Sequence, residues 1–427
     1  MVSTMFDFIV LAIFRQFISA GSLTVTIADQ TPQTLKGAHS GPNAEIHIHD
    51  RRVLWRLVLE PDLAFGESYM DGRLTVLEGG LEPLMDFLMT NAEHWSKHWL
   101  GRLTLKLGQS FAFLQHLNPP SASKRNVAHH YDLTDDLFSS FLDPWRQYSC
   151  AYFHDDEDTL EQAQINKLAR LAAKLDLNPG EKVLDIGCGW GGLARAMALC
   201  VQDTEITGIT LSKQQLAYAK TAAAKTGLNG RLNFHLRDYR RQDGRFDKII
   251  SVGMLEHVGP QNFARYFDKV RDLLAPNGVA VIHSIGVHHR ARPVNRWLTK
   301  YIFPGGYLPS VDQMIKATEG RGLKLLDLEI MRGHYAETLR EWRLRFMEQK
   351  PKIEALYDSR FVRMWEFYLV GCEYFFRSQR GMVMQLQLSL DQNAVPISRR
   401  YIGQREQKFR DKLCHQTHSG TKNPSPK

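Results

Sequence analysis

A dense run of glycines follows a short apolar stretch in the middle of the chain. The segment Val183-Leu-Asp-Ile-Gly-Cys-Gly-Trp-Gly-Gly192 has the pattern of a buried strand, a tight turn and the start of a helix. Glycines are needed where the backbone turns sharply and a ligand approaches without a Cβ in its way. The segment therefore predicts a nucleotide-type binding loop with Asp185 directly before it. An ordinary strand-to-helix turn with glycines for packing is the alternative.

Polar side chains after the next two predicted strands could extend this site. A carboxylate for a ribose normally lies about 20 residues past the glycines. Here the segment is Gly208-Ile-Thr-Leu-Ser-Lys-Gln-Gln215, so neutral groups, Thr210 and Gln215, take the place of the acid. Asp238 follows the third strand and could accept from an adenine amino group. A surface carboxylate that merely ends a strand is the alternative.

The second half of the chain alternates apolar strand-like runs with helical patterns. This alternation predicts a doubly wound α/β sheet. An aromatic-rich region from Phe361 to Phe376 follows, and aromatic residues at helical spacing favour a core helix. The predicted strands are Lys182–Ile186, Glu205–Ile209, Leu232–Leu236, Phe246–Val252, Val279–Ser284 and Leu323–Ile330, with Met382–Leu388 as an edge strand.

Beyond the glycine loop, the chain resembles the cyclopropane fatty acid synthases, including the mycolic acid cyclopropane synthases. These are class I S-adenosylmethionine-dependent methyltransferases with a Rossmann-like sheet. The segment Phe65–Gly72 is similar to the extra N-terminal domain of the phospholipid-modifying members. The other matching segments keep the family order over about residues 125 to 390; they are 129–138, 148–153, 184–192, 208–212, 254–259, 283–286, 301–306 and 334–340.

The resemblance implies an activity on unsaturated lipid. The methyl carbon of S-adenosylmethionine would pass to the cis double bond of a phospholipid acyl chain, and the resulting carbocation would lose a proton to bound bicarbonate and close to a cyclopropane. An isolated alkene has no charge and no acidic proton, so positioning must do much of the work. A methyltransferase that gives methyl- or methylene-branched chains is an alternative. A non-catalytic lipid-binding protein is another, but it should have lost some of Glu256, His283 or Tyr335.

The resemblance also assigns residues to roles. The bicarbonate-binding and catalytic set is Cys150, Glu256, His283, Ile285 and Tyr335, with Cys150 and Ile285 acting through their backbone groups. With the glycine-loop acid included, the expected S-adenosylmethionine contacts are Tyr148, Ser149, Asp185, Gly187, Gly189, Thr210, Leu211, Gln215 and Asp238. No metal is expected, because the cysteines lack CxxC spacing; their odd count of 5 also argues against a disulfide framework and favours a reducing cytoplasm.

The organisation along the chain predicts four parts. Residues 1–118 form a small α+β accessory domain, with strands at 23–27, 44–48 and 53–59 and helix from 81 to 114. Residues 119–124 are a linker and 125–395 the catalytic domain. Residues 396–427 are a basic, flexible tail.

Net charge and hydropathy bear on partners. The net charge of +8 and pI near 9.1 suggest an anionic partner, either nucleic acid or an anionic lipid surface. Nucleic-acid methylation is not supported, because Val252-Gly-Met-Leu255 replaces the usual Asn/Asp-Pro-Pro-aromatic tetrapeptide. The apolar run Phe8–Phe14 predicts an amphipathic helix rather than a signal peptide. We therefore expect a cytoplasmic protein in peripheral contact with the membrane, and a homodimer is compatible with the sequence.

Overall fold

The chain folds into two compact units whose boundaries are not continuous in sequence. The computed structural model describes residues 2–97, 133–228, 230–288 and 291–419. The first unit comprises Met1–His116, Pro293–Pro304 and Leu339–Arg380, and the second comprises Leu117–Arg292, Gly305–Thr338 and Gly381–Lys427. Two segments of the predicted catalytic domain thus belong to the first unit. The predicted linker, 119–124, lies outside the described residues, and so does the part of the predicted helix 81–114 that follows residue 97.

The elements are numbered in chain order over the described residues. The helices are α1 Val2–Phe17, α2 Arg52–Leu59, α3 Pro61–Met70, α4 Leu81–Lys97, α5 Asp135–Phe141, α6 Leu160–Lys174, α7 Gly192–Cys200, α8 Lys213–Lys225, α9 Phe263–Leu273, α10 Arg296–Tyr301, α11 Val311–Thr318, α12 His334–Glu348, α13 Lys350–Leu356, α14 Ser359–Arg377 and α15 Arg400–Ser419. The strands are β1 Ala20–Ile27, β2 Gln33–Lys36, β3 His39–Ile48, β4 Leu74–Val76, β5 Lys182–Ile186, β6 Glu205–Thr210, β7 Leu232–Leu236, β8 Phe246–Val252, β9 Leu274–Val287, β10 Arg292–Pro293, β11 Tyr307–Leu308, β12 Lys324–Met331 and β13 Gly381–Ser389.

The first unit is built on a small sheet in the order β2-β1-β3-β4. β1 pairs in parallel with β3 and antiparallel with β2. Alternate residues of β1 and β3, such as Val25 and Ile46, are buried in one hydrophobic cluster. β1 and β3 contain the strands that the sequence predicted at 23–27 and 44–48.

The third strand predicted in this unit, at 53–59, is wrong, because the segment lies in helix α2. Val53, Leu54 and Leu57 are buried, whereas Trp55 and Leu59 are exposed, which is the spacing of one helical face. A short apolar run rich in Val and Leu fits a buried strand or an amphipathic helix equally well. The helical conformation is the one that packs this face against the hydrophobic cluster under β1 and β3.

The aromatic segment forms α14, and the prediction of a core helix is confirmed. Trp365, Tyr368 and Leu369 are buried, and the helix packs on α3 and α4 within the first unit. Large aromatic side chains bury much apolar area at a low entropy cost. The helix therefore stabilises the N-terminal unit, although the sequence assigned it to the catalytic domain.

The second unit contains a seven-stranded sheet in the order β12-β13-β9-β8-β5-β6-β7. Strands β5 to β9 are mutually parallel, and β13 lies antiparallel between β9 and β12. Helices separate the parallel strands along the chain, as in a doubly wound α/β fold, which confirms the predicted fold class. All the strands predicted for this sheet are present, and β5, β7 and β8 have the predicted bounds. The prediction of 382–388 as an edge strand is wrong, because β13 lies between β9 and β12 and is buried along its whole length.

The connection of the strands creates a switch point beside β5. The chain leaves β5 for β6 on one side and later returns to β8 on its other side. Crevices outside the carboxyl ends of such strands bind ligands. The glycine loop after β5 and the segment after β8 that carries Glu256 therefore meet at one edge of the sheet.

Residues 400–419 differ from the predicted flexible tail. They form α15, which packs on α6 and α7 with Tyr401, Phe409 and Leu413 buried in the core of the second unit. Glu406 accepts hydrogen bonds from Arg170 at 2.6 Å and from the ring of His154 at 2.8 Å. Many of the charged residues of this helix lie on its solvent side. Their number led to the prediction of a flexible tail, although the segment also has an apolar face.

Helix α1 has the amphipathic character that the sequence predicted. Val10 and Leu11 are buried, whereas Phe8 and Ile9 are exposed. The side chain of Asp7 is held by Gln30 at 3.0 Å. Over the part of the chain that the structure describes, no helix is long and apolar enough to cross a bilayer.

Candidate active site

A cleft opens at the carboxyl ends of β5, β6 and β8 in the second unit. It encloses about 1160 Å³, counting its open mouth, and is lined by both polar and apolar side chains. Trp190 and Met254 contribute apolar surface. All the predicted cofactor contacts line it: Tyr148, Ser149, Asp185, Gly187, Gly189, Thr210, Leu211, Gln215 and Asp238.

The glycine loop takes a backbone path that side chains would obstruct. Gly187 has φ +82°, and a Cβ there would meet Cγ of Met254 at 3.1 Å. The N–H of Gly187 donates to the carbonyl of Ile209 at 2.9 Å, which ties the loop to β6. At Gly192 a Cβ would lie 1.9 Å from the carbonyl oxygen of Trp145. Glycine here lets the segment that carries Tyr148 and Ser149 pass over the loop.

Asp185 is a buried carboxylate at the floor of the cleft. Burial raises the pKa of this carboxyl to about 7, although the nearby Lys167 lowers it. Its Oδ2 atom has no hydrogen-bond partner among the residues that the structure describes. A buried acceptor without a donor is costly, so the arrangement fits a ligand that brings its own donor, such as an ammonium group.

The end of β6 presents neutral polar groups. The hydroxyl of Thr210 donates to Oε1 of Gln215 at 2.9 Å, and the N–H of Ser212 donates to Thr210 Oγ1 at 3.2 Å. Because Oε1 of Gln215 is engaged, its amide nitrogen is the end that can donate to a ligand hydroxyl. Asp238 is held by Arg240, with hydrogen bonds of 2.9 and 2.5 Å to its two oxygens.

Lys167 is a functional candidate that sequence analysis missed. It lies on α6, is fully buried, and donates from Nζ to Gln147 Oε1 at 2.5 Å and to Ser149 Oγ at 2.9 Å. Burial lowers the pKa of its ammonium group to about 8, and the carboxylates of Asp143 and Asp185 oppose this shift. A lysine in a helical pattern usually has a solvated side chain. Because the charged neighbours of Lys167 are distant in the sequence, nothing in the local pattern indicated that it is buried beside the site.

Glu256 and Ile285 are joined across two strand ends. Glu256 lies in a short 3-10 turn after β8, and its Oε1 accepts the N–H of Ile285 on β9 at 2.6 Å. Desolvation raises the pKa of the Glu256 carboxyl to about 7, partly offset by hydrogen bonds from Ile285 and Ser284. Its Oε2 is buried and has no hydrogen-bond partner within the described part of the chain. The group is thus poised to gain or lose a proton near neutral pH.

His283 lies two residues before Ile285 on the same strand. Its Nδ1 is 3.1 Å from Nε2 of Gln385 on β13. Desolvation, reinforced by Lys167 and Lys174, lowers the pKa of the imidazole to about 3. His283 is therefore neutral at physiological pH.

The segment that follows Cys150 is tied to the first turn of α12, the helix that carries Tyr335. The N–H of Ala151 donates to Thr338 Oγ1 at 3.0 Å, and the N–H of Phe153 donates to the ring of His334 at 3.2 Å. Cys150 is fully buried, which raises the pKa of its thiol well above the usual value. The thiol donates to the Ala151 carbonyl at 3.2 Å and stays protonated.

Four residues of the predicted catalytic set are linked directly or through shared neighbours: Cys150, Glu256, His283 and Ile285. Lys167 interacts electrostatically with both Cys150 and His283, while His283 and Glu256 lie on adjacent strand ends. None of the set lines the cleft itself. Two residues close to Glu256 in the sequence, Met254 and His257, do form part of the cleft wall. Glu256, His283 and Ile285 therefore lie behind the cleft wall at the same edge of the sheet.

A family model described as mycolic acid cyclopropane synthetase matches residues 120–386, well over half of the chain. The chain belongs to this family. It is an S-adenosylmethionine-dependent methyltransferase, as the resemblance in the sequence implied.

Individual members of the synthetase family align over most of the chain. The cyclopropane-fatty-acyl-phospholipid synthase of Escherichia coli K12 is 38% identical over 369 residues, covering 83% of this chain and 91% of the relative. The tuberculostearic acid methyltransferase UfaA1 of Mycobacterium tuberculosis H37Rv is 38% identical over 369 residues, covering 81% and 83%. Both alignments are longer than the matched family region, so they also include residues outside 120–386.

A solved structure supports the ligand that the cleft accommodates. Mycolic acid cyclopropane synthase CmaA1, complexed with SAH and CTAB, superposes with a TM-score of 0.59 at 33% identity over 62% of this chain and 97% of that chain. S-adenosylmethionine carries the ammonium group and ribose hydroxyls that Asp185 and Gln215 fit. The residues of the cleft are thus compatible with this cofactor.

Proposed function

We propose that this enzyme converts the cis double bond of an unsaturated phospholipid acyl chain to a cyclopropane ring. The observation that carries the proposal is Glu256, a buried carboxyl with a raised pKa held at the strand ends behind the cleft. Such a group suits a reaction in which a cation forms in an apolar site and a proton must leave. The alignment with the E. coli synthase over nearly its whole length supports the substrate class.

The cleft residues would hold S-adenosylmethionine, which supplies an electrophilic methyl group when bound. Asp185 would accept hydrogen bonds from the ammonium group through its unpartnered Oδ2. Gln215 would donate from its amide to a ribose hydroxyl, and Asp238 would accept from the adenine amino group. Lys167 holds Ser149 in place, so it orients one wall of the site without touching the ligand.

We propose that Cys150, Glu256, His283, Ile285 and Tyr335 hold a bicarbonate ion, which supplies the base. The unpartnered Oε2 of Glu256 fits the hydroxyl of that ion. The N–H of Ile285 is bonded to Glu256, so it must be shared between the carboxylate and the ion. The Cys150 thiol is protonated and bonded to its neighbour, which agrees with a role for the backbone of this residue rather than its sulfur.

A branched product is the second candidate. The relative from M. tuberculosis is named a tuberculostearic acid methyltransferase, and it is as similar to this chain as the E. coli synthase is. Both outcomes begin with methyl addition to a double bond and differ in the fate of the cation. The fate depends on how close the base lies to the new methyl group, so the product itself must be measured.

Product analysis tests the proposal. Purified protein is incubated with S-adenosylmethionine and vesicles of a monounsaturated phospholipid, and the lipid is examined by mass spectrometry and proton NMR. We expect the gain of one methylene with loss of the vinyl signals and appearance of ring protons. Retained or exocyclic vinyl signals would favour branching, and no mass gain would contradict the proposal.

We further propose that helices α1 and α2 bring the first unit to an anionic membrane surface. Phe8 is 73% exposed on α1 and Leu59 is 73% exposed on α2, and the two helices are tied by Arg51 and Asp7 at 3.8 Å. Exposed Arg15 and Arg52 on the same helices add positive charge. Exposed apolar side chains beside basic ones are typical of helices that lie in the headgroup region.

Vesicle sedimentation tests this surface. We expect the protein to co-sediment with vesicles that contain anionic lipid, and the double variant Phe8→Ser/Leu59→Ser to lose most of this binding. Ile397→Ser is the matched control, because Ile397 is 100% exposed but lies outside both helices. Equal loss in the control, or wild-type binding in the double variant, would contradict the assignment.

A further inference from the structure

We propose that Gln385 fixes the tautomer of His283, so that the imidazole carries its proton on Nε2, and that the sulfur of Met331 sets the orientation of the Gln385 amide. Gln385 is in this view a positioning residue. The inference rests on the proposed function for its importance, because His283 belongs to the proposed anion-binding set. The tautomer of His283 can be measured in the free protein, without substrate or cofactor.

The three residues lie on three neighbouring strands of the sheet. Gln385 on β13 is the register partner of His283 on β9, and Met331 on β12 pairs with Val383, two residues before Gln385. Gln385 and His283 are almost fully buried. No solvent can therefore compete for the hydrogen bonds between them.

The thioether decides which end of the amide faces the imidazole. Nε2 of Gln385 is 3.1 Å from Sδ of Met331 and 3.1 Å from Nδ1 of His283. A thioether sulfur can only accept a hydrogen bond, whereas an amide nitrogen carries two hydrogens. The amide nitrogen thus donates one hydrogen to the sulfur and the other to Nδ1.

The opposite orientation of the amide would let Oε1 accept a hydrogen bond from a protonated Nδ1, but it is unfavourable at the sulfur and at the other end of the amide. It would place Oε1 of Gln385 against the sulfur lone pairs and leave a donor nitrogen where Oε1 now lies. Oε1 in its present position has no hydrogen-bond partner among the described residues. Reversal would therefore exchange an unpartnered acceptor for an unpartnered donor and add a repulsive contact.

A neutral imidazole carries a proton on only one of its two ring nitrogens, and the hydrogen bond from Gln385 determines which one. Lys167 and Lys174 on α6 oppose a positive charge on His283, while Glu329 on β12 favours it, and burial decides for the neutral ring. Since Nδ1 accepts from Gln385, the proton resides on Nε2. His283 then offers a fixed donor at Nε2, which suits holding an anion and excludes Nδ1 as the catalytic base.

Nitrogen NMR of histidine-labelled protein tests this directly. The signals of His283 are identified by their absence in His283→Asn. We expect a pyridine-type resonance for Nδ1 and a pyrrole-type resonance for Nε2 in the wild-type protein at neutral pH. In Gln385→Met the donor is lost at similar volume, so both resonances should move toward a mixture of tautomers.

Kinetics and a matched variant separate positioning from structure. We expect Gln385→Met to lower kcat by about tenfold while KM for S-adenosylmethionine changes by less than about twofold, as for other residues that orient a ligand-binding imidazole. Gln387→Met is the control: Gln387 lies on the same strand and bonds Tyr401 at 2.6 Å instead of a histidine. It should leave the His283 resonances unchanged.

The outcomes distinguish this inference from the proposed function. A protonated Nδ1 or a charged ring in the wild-type protein overturns the inference, and so do unchanged His283 resonances in a folded Gln385→Met. If that variant does not fold, the wild-type spectrum alone decides. A protein that makes no cyclopropane but shows the expected tautomer would refute the proposed function and leave the inference intact.

Discussion

Glu256 accepts a hydrogen bond from the backbone N–H of Ile285 at 2.6 Å, and this bond joins the turn that follows β8 to the end of β9. The carboxyl is buried, and its pKa is raised to about 7, chiefly by desolvation. Keeping such a group in the folded protein costs stability once it ionises. The cost indicates a functional rather than a structural reason for its presence.

Glu256→Gln should stabilise the fold at high pH. The folded-state pKa lies above the unfolded value, so the wild-type free energy of unfolding falls as pH rises from the unfolded pKa to about 7. Glutamine does not ionise and keeps an acceptor for Ile285. At about pH 8 we expect the variant to be more stable by about 1–3 kcal/mol, with little difference at about pH 4.

Denaturant unfolding at both pH values measures this effect. Turnover by Glu256→Gln should be abolished while S-adenosylmethionine binding persists, because Glu256 does not line the cleft. A variant with near wild-type rates would remove Glu256 from the site. A variant less stable than wild type at high pH would contradict the burial argument.

Asp185→Asn should weaken S-adenosylmethionine binding by about tenfold to a hundredfold, the value of one hydrogen bond to a charged group. The pKa of Asp185 is raised to about 7 by burial. Wild-type affinity should therefore fall as pH drops below about 7, because the protonated carboxyl loses its charge.

Calorimetric titration across this pH range checks the prediction. The affinity of Asp185→Asn should be low and nearly independent of pH over the same range. Asp243→Asn is the control, since the Asp243 side chain is 93% exposed. Unchanged affinity in Asp185→Asn would mean that another group binds the ammonium.

The catalytic sheet could be predicted from the sequence because its strands are buried on both faces. Val183, Ile249 and Val281 belong to continuous apolar runs bounded by turn residues, and such runs have few alternatives. The apolar segment 53–59 fits a strand or a helix equally well by its pattern. Its packing against the hydrophobic cluster of the first unit determines that it forms a helix. In α15, Tyr401, Phe409 and Leu413 form one apolar helical face. The prediction of a flexible tail rested on the high net charge of this segment and overlooked that face.

The site was predictable only where a motif carried it. The glycine loop determines its own shape, so Asp185 and Gly187 could be placed from local sequence. Lys167 lies in an ordinary helical pattern, and Gln385 lies in an alternating pattern that predicted an edge strand instead of the internal strand β13. Their roles arise from tertiary contacts with Ser149 and His283, which no local spacing encodes.

Cys150→Ala should retain activity within about tenfold of wild type, since a difference below 1.4 kcal/mol in the barrier corresponds to that factor. The thiol is buried, and its pKa is raised by desolvation. It bonds the Ala151 carbonyl at 3.2 Å rather than facing a ligand.

Alkylation provides an independent check on this residue. Mass spectrometry of the folded protein after iodoacetamide treatment at about pH 8 should show Cys150 unmodified, because a thiol without thiolate character reacts slowly. Rapid modification of Cys150, or complete loss of turnover in a well-folded Cys150→Ala, would instead indicate a role for the sulfur.

Leu413→Ala should destabilise the second unit by about 2–5 kcal/mol, the usual cost of a cavity in a core. Leu413 is fully buried where α15 packs on the catalytic core. Lys408→Ala, on the exposed face of the same helix, should change the free energy of unfolding by less than about 0.5 kcal/mol. Equal effects in thermal unfolding would mean that α15 is not packed.

Transfer of a deuterated methyl group tests the central claim most directly. S-adenosylmethionine labelled with three deuterium atoms on its methyl group is supplied with monounsaturated phospholipid, and the lipid product is analysed by mass spectrometry and NMR. The account predicts a ring whose new carbon keeps two of the three deuterium atoms, because one leaves as the ring closes. A product that keeps all three, or a lipid without label, would contradict it.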